Sequence, residues 1–321
     1  MEYLMNLHEN KMLFGDLIRF ASESLEIDEV YIEKDYWITR ALQRMSQNEN
    51  SGIVVFKGGT SLSKAYHLTN RFSEDIDIAV IDADSFSGNQ LKMLIKRLAK
   101  QMAGELEENV VQGVTSKGSR FYRAIYLYPQ LTSLISSTVN VGQLMIEINT
   151  YANPYPYVRQ EINPFITDYL AATNRNDLID KYHLTPFLLN VLDKRKTMIE
   201  KLVSVFRFSF SENPRVALAA KIRHFYDLYF LAKDEECAIY IQTLDFKQEF
   251  ANLLQHDKEI FDAPENWRDK EIRQSPLITD FPSLWNTLRA TYLSELPKLA
   301  FVPVPDEKEV AAVFNQIVKN V

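Results

Sequence analysis

Asp75 and Asp77 stand one residue apart in "SEDIDIAVI", downstream of a glycine pair in the stretch "VFKGGTSLSKAYHLTNRFSEDIDI", residues 55–78. Alternate residues of a strand share a face, so the two aspartates face one way while Ile76, Ile78 and Val80 face the other. Their positions are then about 6.8 Å apart along the strand. At that separation two like charges repel by about 2.4 kcal/mol for an effective dielectric near 20. A divalent cation between them reverses the sign, and hard carboxylate oxygens suit Mg²⁺, which takes one or two carboxylates together with substrate phosphates. The bland alternative for the aspartates is a solvated sheet face.

Gly58 and Gly59 allow a sharp turn and a close approach of backbone to ligand. The helix expected from about Thr60 or Ser61 would direct its free N–H groups back at that turn, which makes an anion site suited to a triphosphate. Lys64 and Arg71 add positive charge between the turn and the aspartates. The spacing is not a Walker A pattern, because no Gly-Lys-Ser/Thr closes it. A plain strand-to-helix turn is the alternative for the glycines. Glu147, between Ile146 and Ile148 in "QLMIEINTYA", falls on the polar side of a further strand. There it is either a third metal-side carboxylate, a base for an acceptor hydroxyl, or a solvent-facing residue.

The elements that position these residues follow from periodicity. Residues 1 to 48 read as helices, "IVVF" as a buried strand, "SLSKAYHL" as a helix and "DIDIAVI" as a strand. "GNQLKMLIKRLAKQMAGEL" reads as a helix, and "RFYRAIYLYP" and "QLMIEINTYA" as strands. From "INPFITDYL" onward the spacing is almost entirely helical, including "FLLNVLDKRKTMIEKLVSVFRF", and "VPVPDEKEV" reads as a spacer before a last helix. The expected division is 1–165, a core with N-terminal helices, and 166–321, a helical domain.

The chain has 321 residues, 46% of them hydrophobic, enough to bury a sizeable core. A net charge of −7 argues against coating nucleic acid through the overall field, which leaves local basic runs. "KMLIKRLAK" (Lys92, Lys96, Arg97, Lys100) reads as a solvated helix face. "DKRKTMIEK" (Lys194, Arg195, Lys196, Lys201) reads equally as such a face or as part of a groove. Cys237 is the single cysteine, so disulfides and thiolate zinc clusters are excluded, and its acidic neighbours argue against a nucleophile. No run reaches about 18 apolar residues and no signal-peptide core opens the chain, so a cytoplasmic location and no membrane are expected. Tyr151, Tyr155 and Tyr157 on a proline-containing segment read either as core packing or as rings for a nucleobase. His67, His183 and His224 show no metal-ligand spacing.

The blocks "EKDYWITRAL", "FKGGTSLSKAYHL", "RFSEDIDI", "IEINTYANPYP", "VLDKRKTMIEKLVSVFR" and "KIRHFYDLYFL" occur in order between Glu33 and Leu231. Together they resemble the AbiEii/AbiGii toxin family of nucleotidyltransferases, whose members include the MenT toxins. The resemblance implies an α+β fold: a polymerase-β-like nucleotidyltransferase core with a mixed sheet, a helical N-terminal segment and a helical C-terminal region. It implies that Gly58, Gly59, Thr60 and Ser61 hold the triphosphate, with Lys64 beside them, and that Asp75 and Asp77 hold Mg²⁺. It further assigns Lys201 in "MIEKL" and Asp227 in "RHFYDLY" to the reaction. A lysine there makes sense as a cation for charge that develops on transferred phosphate. The chain departs from the family pattern at His224, where many relatives carry an acidic residue. Glu33, Lys34 and Asp35 are read as packing the N-terminal helix onto the core.

The implied function is Mg²⁺-dependent transfer of NMP from an NTP to an RNA acceptor, in particular the tRNA 3′ end, by a toxin of a toxin–antitoxin or abortive-infection system with a cognate antitoxin. The rival is a toxin that binds NTP and occupies a partner without transferring a nucleotide. Simple binding has little use for Asp75, Asp77, Lys201 and Asp227 together, which favours catalysis.

Overall fold

The helical spacing near the start of the chain becomes α1 (Lys11–Leu25) and α2 (Glu29–Ser46). The structure, a computed structural model, describes residues 5–132, 142–151 and 154–321. β1 (Val54–Lys57), α3 (Gly58–Lys64) and β2 (Asp75–Val80) follow as the sequence predicts, except that α3 begins at the first glycine. Next come α4 (Gly88–Ala103), β3 (Glu107–Asn109), β4 (Ser116–Lys117), β5 (Phe121–Leu127) and β6 (Gln143–Asn149). β7 (Tyr157–Ile162), α5 (Phe165–Ala172), α6 (Asn176–Lys181) and β8 (Phe187–Leu192) complete the sheet region.

The strands form one mixed sheet in the order β3-β5-β6-β2-β1-β8-β7, with β4 on β5. β2 runs parallel to β6 and β1 parallel to β8, and the remaining pairs are antiparallel. The α+β class with a mixed sheet and helical ends is therefore as expected. One reading is corrected: "FLLNVL" is a strand, not the start of a helix. A short apolar run carries no decisive period, and here it lies between β1 and β7, with Asn190 Nδ2 donating to Val54 O at 3.3 Å. The helix begins only after Asp193, whose carboxylate accepts from Arg195 N at 2.8 Å and caps it.

The chain divides into two compact units, Met1–Ala65 with Phe72–Leu192, and Tyr66–Arg71 with Asp193–Val321. This boundary lies after β8 rather than near residue 165. In the first unit α2 is buried along nearly its whole length, three consecutive charges included. Each charge anchors a different segment. The Glu33 carboxylate accepts from Leu131 N at 2.7 Å and Thr132 N at 2.9 Å. Lys34 Nζ meets Glu74 at 3.3 Å, while Tyr31 stacks on Phe72 at 4.6 Å, so the chain entering β2 is held from α2. Asp35 pairs with Lys64 and accepts from Phe165 N, at the start of α5, at 2.9 Å. The packing role read for these three residues holds, through ion pairs and hydrogen bonds as well as contact.

The second unit holds α7 (Lys194–Ser209), α8 (Pro214–Ala219), α9 (Ile222–Lys233), α10 (Glu235–Ile241) and α11 (Leu244–Ile260). α12 (Pro276–Thr279), α13 (Phe281–Leu299) and α14 (Glu307–Val318) follow. Its aromatic centre joins Phe314 to Phe225 and to Phe281, each at 4.8 Å between ring centroids. Residues 66–71 belong here because Phe301 N donates to Asn70 O at 2.8 Å and Arg71 bridges to Ala300.

Because Lys64 and Asp35 are both buried, Lys64→Ala leaves a carboxylate without its cation. Urea unfolding of the nucleotide-free variant is expected to show a loss of about 3–5 kcal/mol. Near-unchanged stability would restore Lys64 to a solvent-facing ligand role.

Candidate active site

The sheet register builds the site one residue type at a time. Asp77 pairs with Lys57 on β1 and with Glu147 on β6, and Glu147 pairs with Arg123 on β5. Directly paired residues share a sheet face. Lys57, Asp77, Glu147 and Arg123 thus form one row across four strands, and Asp75 lies one pleat along in register with Met145. The opposite face is apolar, with Ile76, Ile78, Val80, Ile146 and Ile148 fully buried. Asp75 and Asp77 remain half-buried. Glu147 is held, with Arg123 Nε 2.7 Å from its Oε1. Arg123 is a residue that sequence reasoning missed. Its place in "FYRAI" was visible, but only the β5–β6 register shows that it faces Glu147.

Gly58 adopts φ +81°, in the left-handed region. A Cβ at this position would lie 2.1 Å from Asp77 Oδ2. The aspartate carboxylate therefore occupies the space a side chain would need, and glycine is required twice over, by backbone and by neighbour. Gly59 follows it as the second residue of α3, without a left-handed φ. Thr60 and Ser61 are buried. Thr60 donates its hydroxyl to Asp75 O, and Ser61 donates to Gly58 O at 2.8 Å. Thr60 thus ties the turn to β2, and Ser61 braces the turn itself. Lys64 is corrected: it is 6% exposed, paired with Asp35 and donating to Asn163 O at 3.1 Å, because the helix turns it into the core of the first unit.

In the second unit Asp227 is fully buried on α9. Arg71 grips it from two sides, Nε to Oδ1 at 2.7 Å and Nη2 to Oδ2 at 2.6 Å, and Lys201 Nζ on α7 reaches Oδ2 at 2.7 Å. Burial pushes the Asp227 carboxyl up, but the charges and hydrogen bonds of Arg71 and Lys201 outweigh it and hold the group well below the ordinary carboxylate range. Asp227 is a counter-ion that positions two cations. His224, where the chain departs from the family pattern, takes no acidic part. Burial, with Lys201 and Lys221 nearby, keeps its imidazole well below its usual value.

The family model described as "Nucleotidyl transferase AbiEii toxin, Type IV TA system" matches residues 40–316. The chain belongs to this family. Among solved structures, MenT4, a nucleotidyltransferase toxin from Mycobacterium tuberculosis H37Rv, is similar at 12% identity with a TM-score of 0.34. That match covers 82% of this chain and 92% of the other. No curated protein matches the sequence. The family makes the chain a nucleotidyltransferase toxin of the type IV kind and implies a cognate antitoxin.

Among the described residues, no group of three or more His, Cys, Asp and Glu is arranged to hold a metal ion. Glu147, on the same face, is paired with Arg123. Asp75 and Asp77 by themselves supply two hard oxygen donors on one face, which fits a divalent ion completed by substrate phosphates.

Other sequence candidates resolve as follows. Lys92, Lys96, Arg97 and Lys100 form the exposed face of α4. In "DKRK", Lys194 pairs with Asp234 at 2.8 Å, Arg195 with Asp193 at 2.7 Å and Lys196 with Glu249 at 3.6 Å. Burial pushes the Cys237 thiol up, so it is inert. Tyr157 packs on Val55, Ile81 and Leu192, Tyr155 leans on Tyr157 at 5.3 Å, and Tyr151 stacks on Phe121 at 6.2 Å. No helix of the described residues is long and apolar enough to cross a membrane.

Two outcomes follow. Gly58→Ala displaces Asp77 and strains a left-handed residue by about 1–2 kcal/mol, so nucleotidyl transfer should fall at least tenfold in protein that still folds, measured by turnover beside thermal unfolding. Asp227→Asn leaves Arg71 and Lys201 buried around a neutral group and should cost about 3–5 kcal/mol. A carboxyl with a depressed folded pKa contributes stability that is complete above its unfolded value near 4 and is lost as pH falls through the lower folded value. Acid titration of stability should therefore be steeper below about pH 4 in the wild type than in Asp227→Asn.

Proposed function

We propose that this toxin transfers NMP from an NTP to an RNA acceptor, the tRNA 3′ end, with Mg²⁺, in the cytoplasm, as part of a toxin–antitoxin or abortive-infection system. The observation that carries the reading is the row through Asp77, with its carboxylate against the α-carbon of Gly58 and Glu147 beside it on the same face. Asp75 and Asp77 would hold the ion, which when bound neutralises triphosphate charge and polarises the phosphorus. Gly58 and Gly59, with the backbone of Thr60 and Ser61, receive the phosphates, and the absence of a Cβ at Gly58 lets the Asp77 carboxylate lie against the turn.

The acceptor hydroxyl oxygen bonds to the α-phosphorus while the bond to the departing pyrophosphate breaks. Its proton passes to a carboxylate, and Glu147 takes that role when Arg123 moves to another anion. Lys201 is assigned, on the family pattern, to the charge on the phosphates, with Asp227 and Arg71 as its positioning groups. A cation aimed at developing charge acts chiefly in the transition state. Lys201 would then govern turnover more than NTP affinity.

Purified protein incubated with Mg²⁺, total RNA and each α-labelled NTP should place label in a tRNA-sized band and release pyrophosphate. Asp77→Ala should abolish labelling while remaining folded, since it removes a half-buried polar group rather than a core one. NTP binding without any labelled RNA would instead support the effector that occupies a partner.

A further inference from the structure

The sheet ends at β3 on one side and at β7 on the other, and β7 pairs only with β8. The two edges are built differently. β3 is three residues long and carries Glu107 and Glu108, so a copy laid against it meets like charge. β7 is the six-residue run "YVRQEI", in unbroken register with β8 from Tyr157 against Leu192 to Ile162 against Phe187. It has neither the proline, the lysine nor the bulge that blunts many edges. Among the described residues, the backbone of 157–162 makes no hydrogen bond outside its ladder to β8. Alternate residues of β7 therefore direct N–H and C=O groups away from the sheet, ready to receive a further strand.

The side chains of this edge are matched to one another. Val158 pairs with Val191, which pairs with Phe56 and so shares the apolar face of Ile78. Arg159 and Glu161 stand on the opposite face, that of Asp77, and both are exposed. Among the described residues, neither has an ion-pair partner. Two copies of β7 laid edge to edge and antiparallel are related by a two-fold axis, so their residues pair about one centre. Centred on Gln160, Arg159 of each copy faces Glu161 of the other, and Val158 faces Ile162. Moving the centre by one residue brings the two arginines or the two glutamates together, which opposes pairing. The charges that would repel in the neighbouring registers thus select the one in which both are neutralised.

We propose that β7 is a dimerisation edge whose occupant is β7 of a second copy of this chain, in the register centred on Gln160. The two-fold axis passes through the sheet, so the carboxylate faces of both copies lie on the same side of one continuous sheet. One pair of six-residue strands makes a small interface, on the scale of weak and reversible association.

Sedimentation equilibrium of the full chain from about 1 to 500 μM should show a monomer–dimer equilibrium. Arg159→Glu and Glu161→Arg should each weaken it about fivefold or more, since two opposite-charge pairs become two like-charge pairs. Both positions are exposed, so thermal unfolding of each variant should match wild type. An equimolar mixture of the two variants should recover dimer, because every facing pair is again opposite in charge. Hydrogen exchange of the β7 amides should slow as concentration rises, which distinguishes this edge from any other contact. A wild type that is monomeric throughout overturns the proposal and leaves the edge to the strand of a different protein. A dimer indifferent to both substitutions, or a mixture that recovers none, overturns it equally.

Discussion

The register of β2 between β1 and β6 is the constraint on which the carboxylate face depends. A slip of one residue would exchange the faces, turning Asp75 and Asp77 into the core and Ile76 and Ile78 outward. The apolar side prevents this, since Ile76, Ile78, Ile146 and Ile148 are all wholly buried. The same register that satisfies the core places Lys57 on one side of Asp77 and Glu147 on the other. Gly58 then follows β1 without a side chain, and the Asp77 carboxylate occupies the space. Core packing and site geometry are thus two consequences of one alignment.

Buried charge is handled differently in the two units, according to whether the partners outweigh burial. Asp35 has one cation, Lys64, and a backbone donor at Phe165; burial wins there and pushes its carboxyl up. Asp227 has Arg71 and Lys201 together, and their pull outweighs burial. Lys34 is the mirror of Asp35, since burial pulls its ammonium down against the opposing pull of Glu74 and, more weakly, Asp75. Buried ion pairs of this kind contribute little net stability, because desolvation offsets the Coulomb gain, yet removing one member is costly. Their use here is placement: Lys34 and Tyr31 hold the segment that leads into Asp75, and Asp227 aims Lys201.

Arg123 shows how a polar row can hold a carboxylate in place. Its bond to Glu147 keeps a third acid on the carboxylate face without adding it to the pair Asp75 and Asp77. Lys57 flanks the row at the other end, so cations stand at both ends of the two central acids. The arrangement limits the repulsion that three carboxylates would otherwise impose on the sheet.

The strand carrying Asp75 and Asp77, the glycine turn before it and the family were all legible in the sequence, because alternation, turn chemistry and ordered motifs are local properties of the chain. β8 was not, since six apolar residues have no period that separates strand from helix. Lys64 looked like a phosphate ligand because sequence proximity to the turn cannot show which way a helix points a side chain. Its burial against Asp35, and the contacts of Arg71 and Lys201 with Asp227, join residues distant along the chain. The sequence by itself determined which residues carry charge and which strand faces they share. Tertiary structure alone decided which charges meet, because pairing depends on register and packing between segments that no local pattern encodes.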